Sequence, residues 1–188
     1  MKNILFIAYP QYADFEIAHT LFFIRKSGRF KVTTVTVDGK PVESLAGLIT
    51  MPQAGLSETD VEKYDLILIS GGDGVHTIID DASLSSFLQK ASSKQIPIAA
   101  ICASATLLGK AGLLKGEKFT CTENTYKHFN HVFEGAIYTG TNIEVGTNII
   151  TAKGTAFAEF TVAVGNLLGI WKDNKQSDWA FQFCKGNV

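Results

Sequence analysis

The 188-residue chain has no excess of either charge: 17 lysines and arginines face 18 aspartates and glutamates. Binding nucleic acid by neutralising phosphates needs a basic surface, and neither the overall balance nor any Lys/Arg run supplies one. Cysteine is scarce: Cys102, Cys121 and Cys184 are the whole set, and no two stand at CxxC spacing. That excludes a zinc ribbon or a thioredoxin-type motif, and an odd, sparse set argues against a disulfide framework. At least one thiol is left free, which fits a reducing compartment, so a cytoplasmic location is expected. No apolar run is long enough to span a bilayer, so no membrane partner is expected. The apolar opening breaks at Tyr9-Pro10-Gln11 before any small-residue cleavage site, so no leader is expected. Proline is rare, at 4 residues, whereas 17 glycines suit many tight turns.

What is present is core material: 46% of residues are hydrophobic and 19% are charged, enough for a sizeable interior. One domain over residues 1–188 is expected. Residues 4–8, 65–70 and 96–101 carry near-continuous apolar runs, the pattern of strands buried on both faces. Residues 31–37 alternate and are rich in valine and threonine, which predicts another strand, and residues 42–50 predict a small hairpin. Phe15, Ala18, Leu21 and Phe22 at helical spacing predict a helix over 13–26, ended by Gly28. Further helices are predicted over 83–93, 104–111 and 156–168, and short strands over 119–122, 136–138 and 149–151. The tail, 171–188, predicts a short docked helix through Trp179, Phe181 and Phe183. Strands alternating with helices predict an α/β sandwich with a mostly parallel sheet. In such sheets the chemistry collects at the carboxyl ends of the strands.

Two features fall there. In Ala99-Ala100-Ile101-Cys102-Ala103-Ser104, a buried strand ends, a cysteine follows and a helix begins. Small residues two before and two after the cysteine fit a nucleophile elbow, whose sharp turn leaves little room beside the nucleophile. The turn places the sulfur at a helix N-terminus, where dipole and free N–H groups favour thiolate. A buried structural cysteine would show the same spacing. Gly71-Gly72-Asp73-Gly74 also follows a buried strand. Such glycines let the backbone approach a ligand or serve as an oxyanion hole, although a plain turn fits as well. The stretch lacks GxGxxG spacing and a phosphate-loop lysine, so a nucleotide cofactor is not supported.

These segments, taken with others, resemble the ThiJ/PfpI superfamily, which is glutamine amidotransferase-like. The residues concerned are Asp14-Phe15-Glu16, Tyr64 to Gly72, Ile98 to Ala103, Ala111 to Gly116, and Thr151 to Thr155 leading into Glu159-Phe160. The resemblance implies a flavodoxin-like three-layer sandwich, a homodimer, and a reactive cysteine at Cys102. It implies that Glu16, as a protonated acid, touches the sulfur and holds it ionised, so that Cys102 titrates well below the free-thiol value of about 8.5. It assigns the oxyanion hole to the N–H groups of Gly72 and Ala103. Asp14, Gly71, His76, Thr122 and Lys153 are further candidates for the pocket.

The chain departs from the family pattern at three places. Ala103 stands where peptidase-like members have a histidine, so peptidase chemistry is disfavoured. Thr122 stands where glyoxalase- and deglycase-like members often have one, and Lys153 where many relatives carry arginine. His128 and His131, with Tyr126 and Phe129, lie in a loop-like stretch that fits a surface or packing role, with a cover over the site as the alternative. No carboxylate- or cysteine-rich context supports a metal there, and no cofactor is implied. The expected function is cysteine-dependent chemistry on a small electrophile: an α-oxoaldehyde such as methylglyoxal, or an isonitrile hydrated with help from Asp14 or Glu16. The competing expectation is a redox sensor or stress-protective protein that works through oxidation of Cys102.

Overall fold

A computed structural model describes residues 2–188, and Met1, the first residue of the apolar opening, lies outside the described residues. The chain begins with β1 (Lys2–Ile7), α1 (Asp14–Lys26) and β2 (Phe30–Thr36). The hairpin β3 (Val42–Glu43) and β4 (Ile49–Thr50) follows, then β5 (Ala54–Gly55), β6 (Leu66–Ile69) and α2 (Ala82–Ser93). Next come β7 (Ile98–Ile101), α3 (Ala105–Lys110), β8 (Lys118–Phe119) and α4 (Glu123–His128). The chain closes with β9 (Ile137–Tyr138), β10 (Ile143–Val145), β11 (Ile149–Ala152), α5 (Phe157–Leu167) and α6 (Asn174–Lys185).

Seven strands form the main sheet in the order β10-β11-β7-β6-β1-β2-β5. All pairs are parallel except β10 with β11. A central parallel strand is covered on both faces, which is why β6 and β7 read as unbroken apolar runs and are buried at every position. In register, Ile4 pairs with Val32 on one side and Leu66 on the other, and Ile67 pairs with Ile98. Helices α1, α5 and α6 pack together as one layer, and α2 and α3 form another. Helix α1 buries Ile17, Phe23 and Ile24, and Thr20 shares a 2.9 Å hydrogen bond with Thr161 of α5. Its acidic first turn (Asp14, Glu16) and basic last turn (Arg25, Lys26) suit the helix dipole.

The architecture is the α/β flavodoxin-like sandwich expected, with differences at its edges. Residues 119–122 are a strand only at Phe119, and the loop-like stretch after them holds α4. Six residues are too short to show a helical period. What starts α4 is the Thr122 side chain, which accepts the Thr125 N–H at the N-cap. Strands β5 and β10 are two and three residues long and were not marked by any alternation. Helix α6 spans 12 residues, starting where Asp173 accepts the Gln176 N–H and ending at Gly186 in the left-handed region.

The parallel sheet brings the carboxyl ends of β1, β6 and β7 side by side, so Tyr9, Gly71 and Cys102 meet at one edge. Leu68, fully buried in β6, tests the core that holds them there. Leu68→Ala is expected to lower unfolding stability by about 3 kcal/mol, read as a drop in the urea midpoint. A shift below about 1 kcal/mol would contradict close packing at that position.

Candidate active site

Cys102 has φ of 60°, in the left-handed region that side chains seldom adopt. The strain is held by its neighbours. The Ser104 hydroxyl donates to Ile101 O at 2.7 Å and lies 3.1 Å from Ile69 O, tying the turn to the ends of β7 and β6. Ser104 is fully buried, and Cys102 is half-buried. The elbow inferred from the small flanking residues is therefore present in the backbone.

Glu16 is 4% exposed, and its Oε2 accepts the Gly71 N–H at 2.9 Å. The carboxyl group lies beside the Cys102 side chain, both bordering Gly154, and each affects the other's ionisation. Two glycines make this contact possible. A Cβ at Gly71 would overlap the Glu16 carboxyl and Cys102 Cβ, and one at Gly154 would stand 2.9 Å from Cys102 Sγ. Beneath them, Tyr9 is fully buried and donates to Ser70 O at 2.9 Å, and the Ser70 hydroxyl donates to Ala13 O at 2.6 Å. Burial, then the charges of Glu16 and Cys102, hold the Tyr9 phenol well above its ordinary range.

Burial raises Glu16 to about 7, against the opposing effects of the Cys102 side chain and the Gly71 N–H. Burial also raises the Cys102 thiol, and the Glu16 carboxylate beside it raises it further. The Ala103 N–H favours the thiolate but does not offset these effects. This corrects the expectation of a thiol lowered by its position at a helix start: desolvation outweighs the helix end. The thiol and carboxyl together form a buried pair in which a second negative charge is strongly opposed.

Gly72, at φ 142°, packs so tightly on Gln11 and Tyr12 that a Cβ would collide with their backbone. Its N–H donates to no protein group among the described residues. Gly72 and Ala103 line a cleft of about 380 Å³ together with Asp73, His76, Asn124, Thr125, His128 and Phe129. His76 and His128 thus lie along the wall. Asp14 is turned away from this cleft. Its Oδ2 accepts from the Ser44 hydroxyl at 2.5 Å and from the Ala46 N–H, pinning the β3–β4 hairpin. Thr122 caps α4, and the charge of Lys153 acts on Cys121 and Glu123. These three pocket candidates therefore have structural or peripheral placements. Tyr9 and Ser70 belong to the site without having been assigned a role from the sequence, Ser104 had been marked only as a small flanking residue, and Gly154 only as part of the 151–155 stretch. A buried polar residue following an apolar strand was the one available signal, at Ser70.

Residues 2–166 match the DJ-1/PfpI family. The chain belongs to that family. Among family relatives, the uncharacterized protease YdeA of Bacillus subtilis is 30% identical over 165 residues, 86% of this chain and 80% of that protein. The glutathione-independent glyoxalase DJR-1.2 of Caenorhabditis elegans is 29% identical over 138 residues, 72% of each chain. In fold, a DJ-1 superfamily protein of Agrobacterium tumefaciens superposes with a TM-score of 0.87 over 100% of both chains at 24% identity.

The raised carboxyl of this DJ-1/PfpI protein links acid–base behaviour to stability. Unfolded, Glu16 releases its proton near 4.5, whereas folded it keeps the proton up to about 7. Folding then takes up a proton between these values, so Glu16's contribution to stability falls as pH rises through that window. Glu16→Gln is expected to remove that part of the pH dependence, measured as the urea midpoint of both proteins from pH 4.5 to 7. Parallel curves for the two proteins would show that Glu16 titrates as an ordinary carboxyl.

Proposed function

We propose that the protein is a cysteine-dependent enzyme acting on small electrophilic carbonyl compounds, with α-oxoaldehydes such as methylglyoxal as the substrate class. The observation that carries this is the contact, in a strained elbow, between the Cys102 thiol and a carboxyl raised to about 7. A general base works best when its pKa lies near the working pH. The glyoxalase named among the relatives, at 29% identity, supports the same class.

Cys102 Sγ attacks the aldehyde carbon while the Glu16 carboxylate takes the thiol proton. The sulfur–carbon bond forms and the carbonyl π pair moves onto oxygen, which rests against the Gly72 and Ala103 N–H groups. Glu16 returns the proton to that oxygen, giving a neutral hemithioacetal. Glu16 next takes the proton from the sulfur-bearing carbon as the neighbouring carbonyl oxygen is protonated, giving an enediol. A proton delivered to that neighbouring carbon, with loss of the proton from the hydroxyl on the sulfur-bearing carbon, then yields the thioester. Water cleaves the thioester to a hydroxy acid and frees Cys102. The substrate acts as its own oxidant and reductant, with water as the only co-reactant. Hydration of an isonitrile would use the same acid and remains the variant within this class. A histidine base next to the thiol is absent at Ala103, which disfavours peptidase chemistry.

The redox-sensor reading shares Cys102. Sensor thiols are low in pKa and accessible, whereas burial and Glu16 raise this one, so the enzyme reading is preferred. We place the working unit as a homodimer in the cytoplasm. Leu48, Ile49 and Met51 in and just after the β3–β4 hairpin and Phe15 on α1 are large apolar side chains left exposed, which supports a second copy covering them. Three free cysteines suit a reducing compartment.

Methylglyoxal consumption is expected to vanish in Cys102→Ala, and kcat/KM to fall about 10²–10⁴-fold in Glu16→Gln. Turnover that persists in Cys102→Ala would overturn the mechanism. Stoichiometric peroxide oxidation of Cys102 in a protein that turns over neither α-oxoaldehydes nor isonitriles would establish the sensor instead.

A further inference from the structure

The amino-terminal end of the sheet, opposite the Cys102 edge, carries a second cavity of about 720 Å³ between the end of α1, the 169–172 turn and the start of α6. It is lined by Lys26, Arg29, Lys172, Trp171 and Trp179, and no carboxylate lines it. A neighbouring hollow of about 480 Å³ shares Arg29 and adds Lys2. None of these four cations forms an ion pair among the described residues. Asp173, adjacent in sequence to Lys172, spends its carboxylate capping α6.

The walls are held in place. The Arg29 guanidinium donates to Gly169 O at 2.7 Å, and the Lys172 N–H donates to Gln176 Oε1 at 2.7 Å. The Trp171 indole donates to Val162 O at 3.1 Å and lies against Gly165, where a Cβ would collide with the ring. Phe23 stands edge-on to both indoles, 5.2 Å from Trp171 and 6.4 Å from Trp179. Trp179 is 47% exposed, and its indole N–H has no acceptor among the described residues. Lys26 Nζ lies 5.1 Å over the Phe22 ring and the Arg29 guanidinium 5.5 Å over the Phe30 ring, so the aromatic wall and the cations are held side by side with no carboxylate among them.

We propose that this groove is a binding site for a small anion carrying a flat aromatic body, of the size and kind of a nucleoside monophosphate. The anionic group sits among Lys26, Arg29 and Lys172, whose positive charges line the same groove and favour an anion over a neutral ligand. The flat body lies against Trp179, which offers a π face and a free N–H donor. The site is separate from the Cys102 edge and does not depend on the proposed chemistry there. It also lies outside the Gly71-Gly72 turn, so it needs no phosphate-loop motif: side-chain cations, not backbone N–H groups, supply the recognition.

The two indoles of this groove are the only tryptophans in the chain, so intrinsic fluorescence reports on it alone. Titration with adenosine monophosphate is expected to give a saturable change in emission, weakened by added salt. Adenosine and inorganic phosphate, each supplying half of the chemistry, are expected to need at least about tenfold higher concentration. The double variant Lys26→Glu with Lys172→Glu, both exposed positions, is expected to lose about tenfold or more in affinity while keeping its circular dichroism and its Cys102 reactivity. Trp179→Phe keeps one reporter and is expected to weaken binding with the fold intact. A flat titration would overturn the proposal, as would equal affinity in the double variant. Inorganic phosphate matching adenosine monophosphate would overturn the aromatic part of it.

Discussion

A carboxyl and a thiol confined together out of water are the constraint on which the rest of the site depends. Glu16 and Cys102 each lose hydration in the cradle between Gly71 and Gly154, and the Glu16 carboxylate opposes ionisation of the thiol beside it. Two adjacent charges cannot both be sustained there, so a proton is retained and can pass between sulfur and oxygen. That is the property an addition reaction at a carbonyl needs. The nucleophile can lose its proton at the moment of attack, and the acceptor of that proton is poised near neutrality. A sulfur ionised in advance is not required, which removes the apparent conflict between a buried thiol and a nucleophilic role.

The fold delivers this pair through its parallel sheet. The ends of β6 and β7 place Gly71 and Cys102 next to each other, and the sharp turn after Ile101 lifts the cysteine out of the sheet plane. The first turn of α1 lies across the same edge because Ala13 N–H donates to Gly71 O at 2.7 Å while the Ser70 hydroxyl returns to Ala13 O. Glu16 enters from that anchored turn. The strained dihedral at Cys102 is affordable only because Ser104, Ile69 and Ile101 over-determine it.

Much of this was legible in the sequence, for reasons that can be named. Strands buried on both faces leave continuous apolar runs, so β1, β6 and β7 were visible, and with them the strand ends where Gly71 and Cys102 sit. The elbow left its mark in the small residues Ala100 and Ser104. Other features leave no periodic trace. Helix α4 is set by one capping contact, and β10 pairs through backbone groups that carry no residue preference. Asp14 illustrates a different limit. Its proximity in sequence to Glu16 suggested the pocket, yet the two helical steps between them turn it to the other side of α1, toward the β3–β4 hairpin, where Ser44 takes it up. The ionisation of Cys102 was misjudged because a helix start can be seen in a sequence, whereas the desolvation that outweighs it depends on what packs above, including Gly154 from a segment more than fifty residues away in sequence.

The central claim is that burial raises the Glu16 carboxyl beside the Cys102 sulfur to about 7, so that it can both hold and accept a proton near neutrality. The most direct measurement is the carbon-13 chemical shift of the Glu16 carboxyl followed by pH titration in the intact protein. A midpoint at about 7 is the predicted result. A midpoint in the ordinary glutamate range of about 4.3 would contradict the account.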